Sequence, residues 1–228
     1  MLMKKIVAAS LILLLVSCTQ KKETILITQE NVRDVLTKYG QENPENEVTI
    51  ETSFGTMRLK LYEDTPLHRA NFVKLIKDGQ YENADFYRIA SGFMIQGGDL
   101  SKKLKYRVPA EFRPEHYHKK GALSMARQDE NNPNLESSAA EFFIIHGTTY
   151  YPEDIDAEEK TLGIHLTPEQ KKTYENVGGY MTLDQKYTVF GEVIDGFDVI
   201  DKIANEKVYD LEKPLKKISM KVTLVEKK

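Results

Sequence analysis

Hydrophobic positions recur every second residue in two neighbouring stretches, Val48-Thr49-Ile50-Glu51-Thr52 and Thr56-Met57-Arg58-Leu59-Lys60-Leu61, on either side of Gly55. Period two marks strands with one buried face, and the short polar gap predicts a hairpin. The period then changes. Thr65 can cap a helix, Pro66 suits its first position, and Leu67, Ala70, Phe72, Val73 and Ile76 give it an apolar side before Gly79, which predicts a helix over 66–78. Strand character returns over 84–95, in the apolar runs 121–126 and 142–145, and over 187–193. A helix is expected near 197–204, and the alternation of Ile218, Met220, Val222 and Leu224 predicts a closing strand. Roughly eight short strands and two helices imply a mainly β fold, because a chain of that kind usually removes its sheet edges by closing into a barrel or sandwich. Two helices would then plug the open ends.

Three stretches depart from this pattern. Residues 150–180 are charged and helical, with Thr167-Pro168-Glu169-Gln170 in the form of a capping box and Gly178-Gly179 as a stop, so they read as an inserted helical excursion between two strands. Residues 18–47 are largely polar, with a weak helical stripe at Val32, Val35, Leu36 and Tyr39 before Gly40, and read as a tether carrying one short helix. Residues 1–17 place Lys4 and Lys5 ahead of the apolar run 6–16, the charge order and length of a signal peptide. That run is too short to span a bilayer, which takes about 20 residues. Its end, Leu15-Val16-Ser17-Cys18, resembles a bacterial lipoprotein signal, and the resemblance implies cleavage before Cys18 and lipidation of its thiol. The mature chain would be anchored to a membrane of the cell envelope rather than spanning it.

Cys18 is the only cysteine, so no internal disulfide can form. The formal net charge is -3, and loss of Lys4 and Lys5 with the signal takes it to -5. A mildly acidic protein without a dense basic patch is a poor match for phosphate backbones, so nucleic acid is not expected as a partner. His116 and His118 are spaced to share one face of a strand, but no acidic or Cys partner lies at a metal-binding spacing, and no metal site is expected.

The candidate chemistry lies in 86–99, Phe-Tyr-Arg-Ile-Ala-Ser-Gly-Phe-Met-Ile-Gln-Gly-Gly-Asp, where one Arg and one Gln stand among aromatic and thioether side chains. A fixed cation beside an apolar floor suits a neutral, polarisable substrate. A strand Arg with a packed stem and a solvated head is the plain alternative. Together with 121–126, Glu141-Phe142-Phe143-Ile144 and Val189-Phe190-Gly191, in that order and with the helix 66–78 between the right strands, the segment resembles a cyclophilin-type peptidyl-prolyl isomerase. The resemblance covers about 48–225, and the isomerase domain is expected over 48–228. It implies a closed eight-stranded antiparallel barrel capped by two helices, no cofactor, a monomer, and proline-containing unfolded or flexible polypeptides as substrates. Arg88 matches the family's catalytic guanidinium and Gln96 the amide that positions substrate and Arg. Phe93, Met94, Phe143 and Leu183 match the pocket for the proline ring, and Ala126 the shallow groove for the residue before it.

Several positions depart from the family's pattern. Glu141 stands where Gln is common, putting a carboxylate near the groove that could pair with Arg88 or favour basic substrates. Tyr187 replaces a His found in many members, and Ala90 and Ser91 replace an apolar residue and Pro. The loop 128–138 is longer than usual. These changes, with the insertion, keep open a different class of function, a proline-segment-binding module or holdase chaperone with little catalysis. Thr182 replaces an aromatic wall, so weak inhibition by cyclosporin is expected; inhibition at nanomolar concentrations in an isomerisation assay would contradict that reading of Thr182.

Overall fold

The computed structural model describes residues 26–100 and 104–225. The candidate lipidation site Cys18 and the signal segment lie outside the described residues. The expected hairpin is β1 (Glu47–Thr52) and β2 (Gly55–Leu61), with Val48, Ile50, Met57, Leu59 and Leu61 turned into the core. The helix α1 (Val32–Glu42) precedes it and α2 (Pro66–Lys77) follows. Then come β3 (Asp85–Ala90), β4 (Met94–Gly98), β5 (Arg107–Val108), β6 (Ala122–Met125), β7 (Ser137–Ser138) and β8 (Phe142–Ile145). Helices α3 (Pro152–Leu162) and α4 (Pro168–Asn176) form the inserted excursion, and β9 (Val189–Asp195), α5 (Phe197–Ala204), β10 (Ile218–Ser219) and β11 (Lys221–Leu224) complete the order.

One antiparallel sheet runs β10-β3-β4-β8-β6-β9-β2-β1-β11, nine strands rather than the eight expected, with β5 and β7 paired separately. The extra strand arises because the closing pass is interrupted at Met220. β10 pairs with β3 and β11 with β1, while the Met220 N–H bonds the Ala84 carbonyl at 3.0 Å. Taken as one broken pass, 218–224 bridges the two sheet edges and nearly closes the barrel. Phe72 of α2 is buried inside it, its ring meeting Phe142 at 5.5 Å and Phe190 at 5.3 Å in edge-on geometry. Val199, Ile200 and Ile203 of α5 join the same core.

Among the described residues there are five α-helices: the two expected beside the barrel, the short one expected within 18–47, and two in the excursion. Helix α1, the short helix expected within 18–47, packs against α2. It buries Val32, Leu36 and Gly40 and shares an apolar cluster with Leu67 and Ala70 of α2. A Cβ at Gly40 would lie 3.0 Å from that of Ala70, so glycine sets the closeness of the two helices. Arg69 closes the end of α1, donating to the Gly40 carbonyl at 3.2 Å and to those of Asn43 and Glu45. The expected Thr65 cap of α2 is replaced from afar. Glu111 accepts from the N–H groups of Leu67 at 3.1 Å and His68 at 2.9 Å, its carboxylate satisfying the electropositive helix start.

In the excursion, the Thr167–Gln170 capping box forms in both directions, at 3.2 and 2.8 Å. Gly178 and Gly179 do more than stop α4: residue 179 bridges both Lys119 and Thr148, and a Cβ there would meet the His118 carbonyl at 2.4 Å. Beneath them Asp184 accepts from the Tyr174 hydroxyl at 2.6 Å and from the His118 backbone N–H at 2.8 Å, and its Oδ1 lies 2.9 Å from the His118 ring Nδ1. Burial, reinforced by the Asp184 carboxylate, holds the Tyr174 hydroxyl protonated far above the ordinary phenol range. Removing it should strand a buried carboxylate oxygen. Tyr174→Phe is therefore expected to lower the unfolding free energy by about 1–3 kcal/mol, read from the midpoint of urea denaturation at constant slope.

Candidate active site

Cross-strand register assembles the site. Arg88 of β3 lies opposite Gln96 of β4, Gln96 opposite Phe143 of β8, and Phe143 opposite Ser124 of β6. The next row, Ile89, Ile95, Ile144 and Leu123, belongs to the barrel core, so by strand alternation the Arg88 row points away from it. A break in regularity makes this possible. Phe86 is also a core residue and sits two before Arg88, which in a regular strand would put both on one face. Phe86 pairs with Gly97 and Arg88 with Gln96, so Tyr87 is an extra residue, a bulge that turns Arg88 outward.

Gly92 supports the turn between β3 and β4 at φ +77, and its N–H donates to Nδ1 of His146 at 2.9 Å. Burial, together with the nearby Lys120, pushes the His146 ring below its usual range, which keeps that nitrogen free to accept. The Phe93 carbonyl accepts from the N–H groups of His146 and Gly147, both at 3.0 Å. These bonds fix the turn that carries Phe93.

Around it is a cavity of about 170 Å³ lined by Arg88, Phe93, Met94, Gln96, Ala126, Arg127, Phe143, Leu183 and Tyr187. Eight residues singled out from the sequence thus converge on one hollow. Met94, Ala126 and Phe143 are buried, and the cavity is smaller than the ~300–1,000 Å³ that holds a drug-sized ligand. Space of this size with CH-bearing walls suits a small ring rather than an extended cofactor. Phe143 is braced from behind by the His118 ring, stacked at 6.1 Å, and from the side by Tyr187 at 5.9 Å.

Electrostatics set the direction of the guanidinium. Arg88 Nη1 donates to Gln96 Oε1 at 3.3 Å, and Gln96 Nε2 donates to the Tyr87 hydroxyl at 2.7 Å, which fixes the amide's orientation. Burial, then the nearby Glu141 carboxylate, holds the Tyr87 hydroxyl protonated well above the phenol range. Arg88 lies 5.9 Å from the centre of the Phe93 ring, and its Nε donates to Glu212 at 2.7 Å.

Glu141 is placed differently from the other candidates. It lines a neighbouring hollow of about 330 Å³ with Asp99, Tyr106, Arg107 and Gln128, and the carboxylate that pairs with Arg88 is Glu212. The two histidines once considered together diverge: His116 stacks on Tyr62 and bonds Asp64, whereas His118 bonds Asp184. Sequence reading also missed Tyr180, whose ring packs against Phe93 at 4.2 Å, and Arg127, which lies 4.3 Å from the Tyr187 ring centre. Tyr180 follows the Gly pair at the end of the insertion, and an aromatic two residues before Thr182 was the available signal.

Residues 47–225 match the family model described as cyclophilin type peptidyl-prolyl cis-trans isomerase/CLD. A Staphylococcus saprophyticus protein named for peptidyl-prolyl cis-trans isomerase activity is 36% identical over 199 residues, covering 81% of this chain and 96% of that one. A Streptococcus pyogenes protein named as a bifunctional phosphatase/peptidyl-prolyl cis-trans isomerase is 36% identical over 177 residues, covering 73% of this chain and 36% of its own. Among solved structures, a Cryptosporidium parvum cyclophilin crystallised in the presence of the dipeptide Ala-Pro superposes with a TM-score of 0.58 at 25% identity, covering 79% of this chain and 99% of that one. With the family model spanning 47–225 and the Staphylococcus saprophyticus relative matched over 96% of its length, the chain belongs to the cyclophilin-type peptidyl-prolyl cis-trans isomerases and is an enzyme of that class.

Proposed function

We propose that this isomerase acts on X-Pro bonds of unfolded or flexible proteins outside the cytoplasm, with Arg88 donating to the twisted amide and the adjoining cavity holding the proline ring. The observation that carries the proposal is the guanidinium fixed by Gln96 at the rim of an apolar hollow of about 170 Å³. That the similar Cryptosporidium cyclophilin was crystallised in the presence of Ala-Pro supports a proline-containing ligand.

The chemistry needs little else. Amide resonance sets a rotation barrier of about 18–20 kcal/mol, and X-Pro bonds isomerise over tens to hundreds of seconds. As the bond twists, the nitrogen becomes pyramidal and recovers a lone pair that can accept a hydrogen bond. A donor that meets this lone pair stabilises the twisted form more than the planar one, and only such a difference accelerates the reaction. No bond to the enzyme forms. Phe93, Met94, Phe143, Leu183 and Tyr187 hold the ring by contact with its CH surface, Ala126 leaves room for the preceding residue, and Gln96 holds Arg88 and the substrate in register. Glu141, beside the groove, favours substrates with a basic residue near the proline.

A charge-assisted hydrogen bond is worth about 1.5–3 kcal/mol, or roughly one to two decades of rate. Arg88→Ala in the chain lacking residues 1–18 is expected to slow catalysed exchange on X-Pro peptides by that factor, measured by NMR; activity equal to wild type would remove Arg88 from the mechanism. Binding of the peptides with a rate gain of tenfold or less in the wild-type protein would instead favour the proline-segment-binding reading. For the anchor, Cys18→Ser is expected to abolish incorporation of labelled fatty acid and release the protein from the membrane fraction, and labelled membrane-bound protein in that variant would exclude lipidation at Cys18.

A further inference from the structure

Residues 206–217 connect α5 to the closing strand and fold back on themselves. Tyr209 N–H donates to the Lys213 carbonyl at 2.7 Å, Leu215 N–H to that of Lys207 at 2.9 Å, and Val208 bridges Pro214. At the tip, Leu211 and Glu212 both have left-handed backbones, at φ 62 and φ 61, without a glycine. L-residues adopt that conformation at a cost and keep it where surrounding contacts over-determine it. Leu211 is 92% exposed, so its own packing is not what holds the tip. The contact that does reach the barrel is the Glu212 carboxylate on Arg88 Nε at 2.7 Å.

From this geometry we infer that Glu212 is a positioning residue for the isomerisation: it acts through Arg88, fixing the rotation of the guanidinium that meets the substrate. The inference rests on the role proposed for Arg88. A guanidinium has five N–H donors in one rigid plane. Glu212 takes the one on Nε and Gln96 takes one on Nη1, so two bonds made from two sides define the plane. Among the described residues no acceptor is bonded to Nη2, which leaves donors on the terminal nitrogens for the amide. Gln96 alone fixes one point and leaves the plane free to swing about it. With Glu212 added, orientation is set before substrate arrives, and the gain appears in the chemical step rather than in binding of the ring. The Arg88 and Glu212 side chains are each 41% exposed, so the pair is partly screened and its contribution is modest.

The test is a double-mutant cycle on the chain lacking residues 1–18, with kcat and KM taken separately on an X-Pro peptide. Glu212→Ala is expected to lower kcat about two- to fivefold, the range of an exposed ion pair expressed as rate, with KM unchanged and the melting temperature lowered by no more than about 4 °C. Glu212→Gln, which keeps an acceptor, should recover much of the loss. Glu212→Ala added to Arg88→Ala should cost nothing further, because a residue acting only through Arg88 has nothing left to orient. An unchanged or raised kcat in Glu212→Ala, or a loss of the same size in the Arg88→Ala background, overturns the inference while leaving Arg88 in its role. Wild-type activity in Arg88→Ala overturns both.

Discussion

Cross-strand register is the constraint on which the site depends. Because side chains alternate between faces, slipping β3 against β4 by one residue would carry Arg88 into the core and Ile89 to the surface. The barrel forbids that slip by filling one face completely: Ile89, Ile95, Ile144 and Leu123 are all buried with Phe72 and Phe142. Core packing thereby determines which residues stand outside it, and Arg88, Gln96 and Phe143 form one row across three strands. The bulge at Tyr87 is the single irregularity needed to reconcile an inward Phe86 with an outward Arg88.

The proposed mechanism needs a directed donor and a shaped hollow, and the side chains assigned to each have a backing layer. Behind the hollow, Asp184 gathers His118, Tyr174 and the backbone before the chain that carries Leu183, while Tyr180 lays a ring over Phe93. The end of the insertion therefore backs the pocket, through Tyr180 packed on the lining residue Phe93. Behind the donor, the Tyr87 hydroxyl orients the Gln96 amide, and that amide holds Arg88.

What was legible in the sequence was what local pattern encodes. The hairpin 47–61, the helix after Pro66 and the Thr167 capping box follow from period and caps and appear where expected, whereas the single strand expected over 84–95 is two, β3 and β4, because the chain turns at Gly92 and sets Arg88 opposite Gln96 across the pair. What escaped was pairing at a distance. Glu111 lies 43 residues from the His68 N–H it caps, and Glu212 lies 124 residues from Arg88. Charged residues on polar stretches carry no mark of the partner that folding will bring. The packing of α1 escaped for a related reason: its stripe of Val32, Leu36 and Gly40 is short, and only the facing surface of α2 completes it. The strand count differed because hydrophobic alternation through Met220 continues while the hydrogen-bonded partner changes.

The split strand also ties distant parts of the chain to one segment. Its halves pair with β1 and β3, and Val48 meets Leu224 across nearly the whole fold, a pairing that closes a long loop at an entropic cost. Until it forms, β1 and β3 are open sheet edges. The segment that delivers Glu212 to Arg88 leads directly into that strand, so the loop docks with the same stretch of chain that seals the barrel. One continuous stretch of chain therefore carries both the Glu212 contact to Arg88 and the pairing that joins the two sheet edges, so a change in the length or path of 206–217 reaches the guanidinium and the barrel seam together.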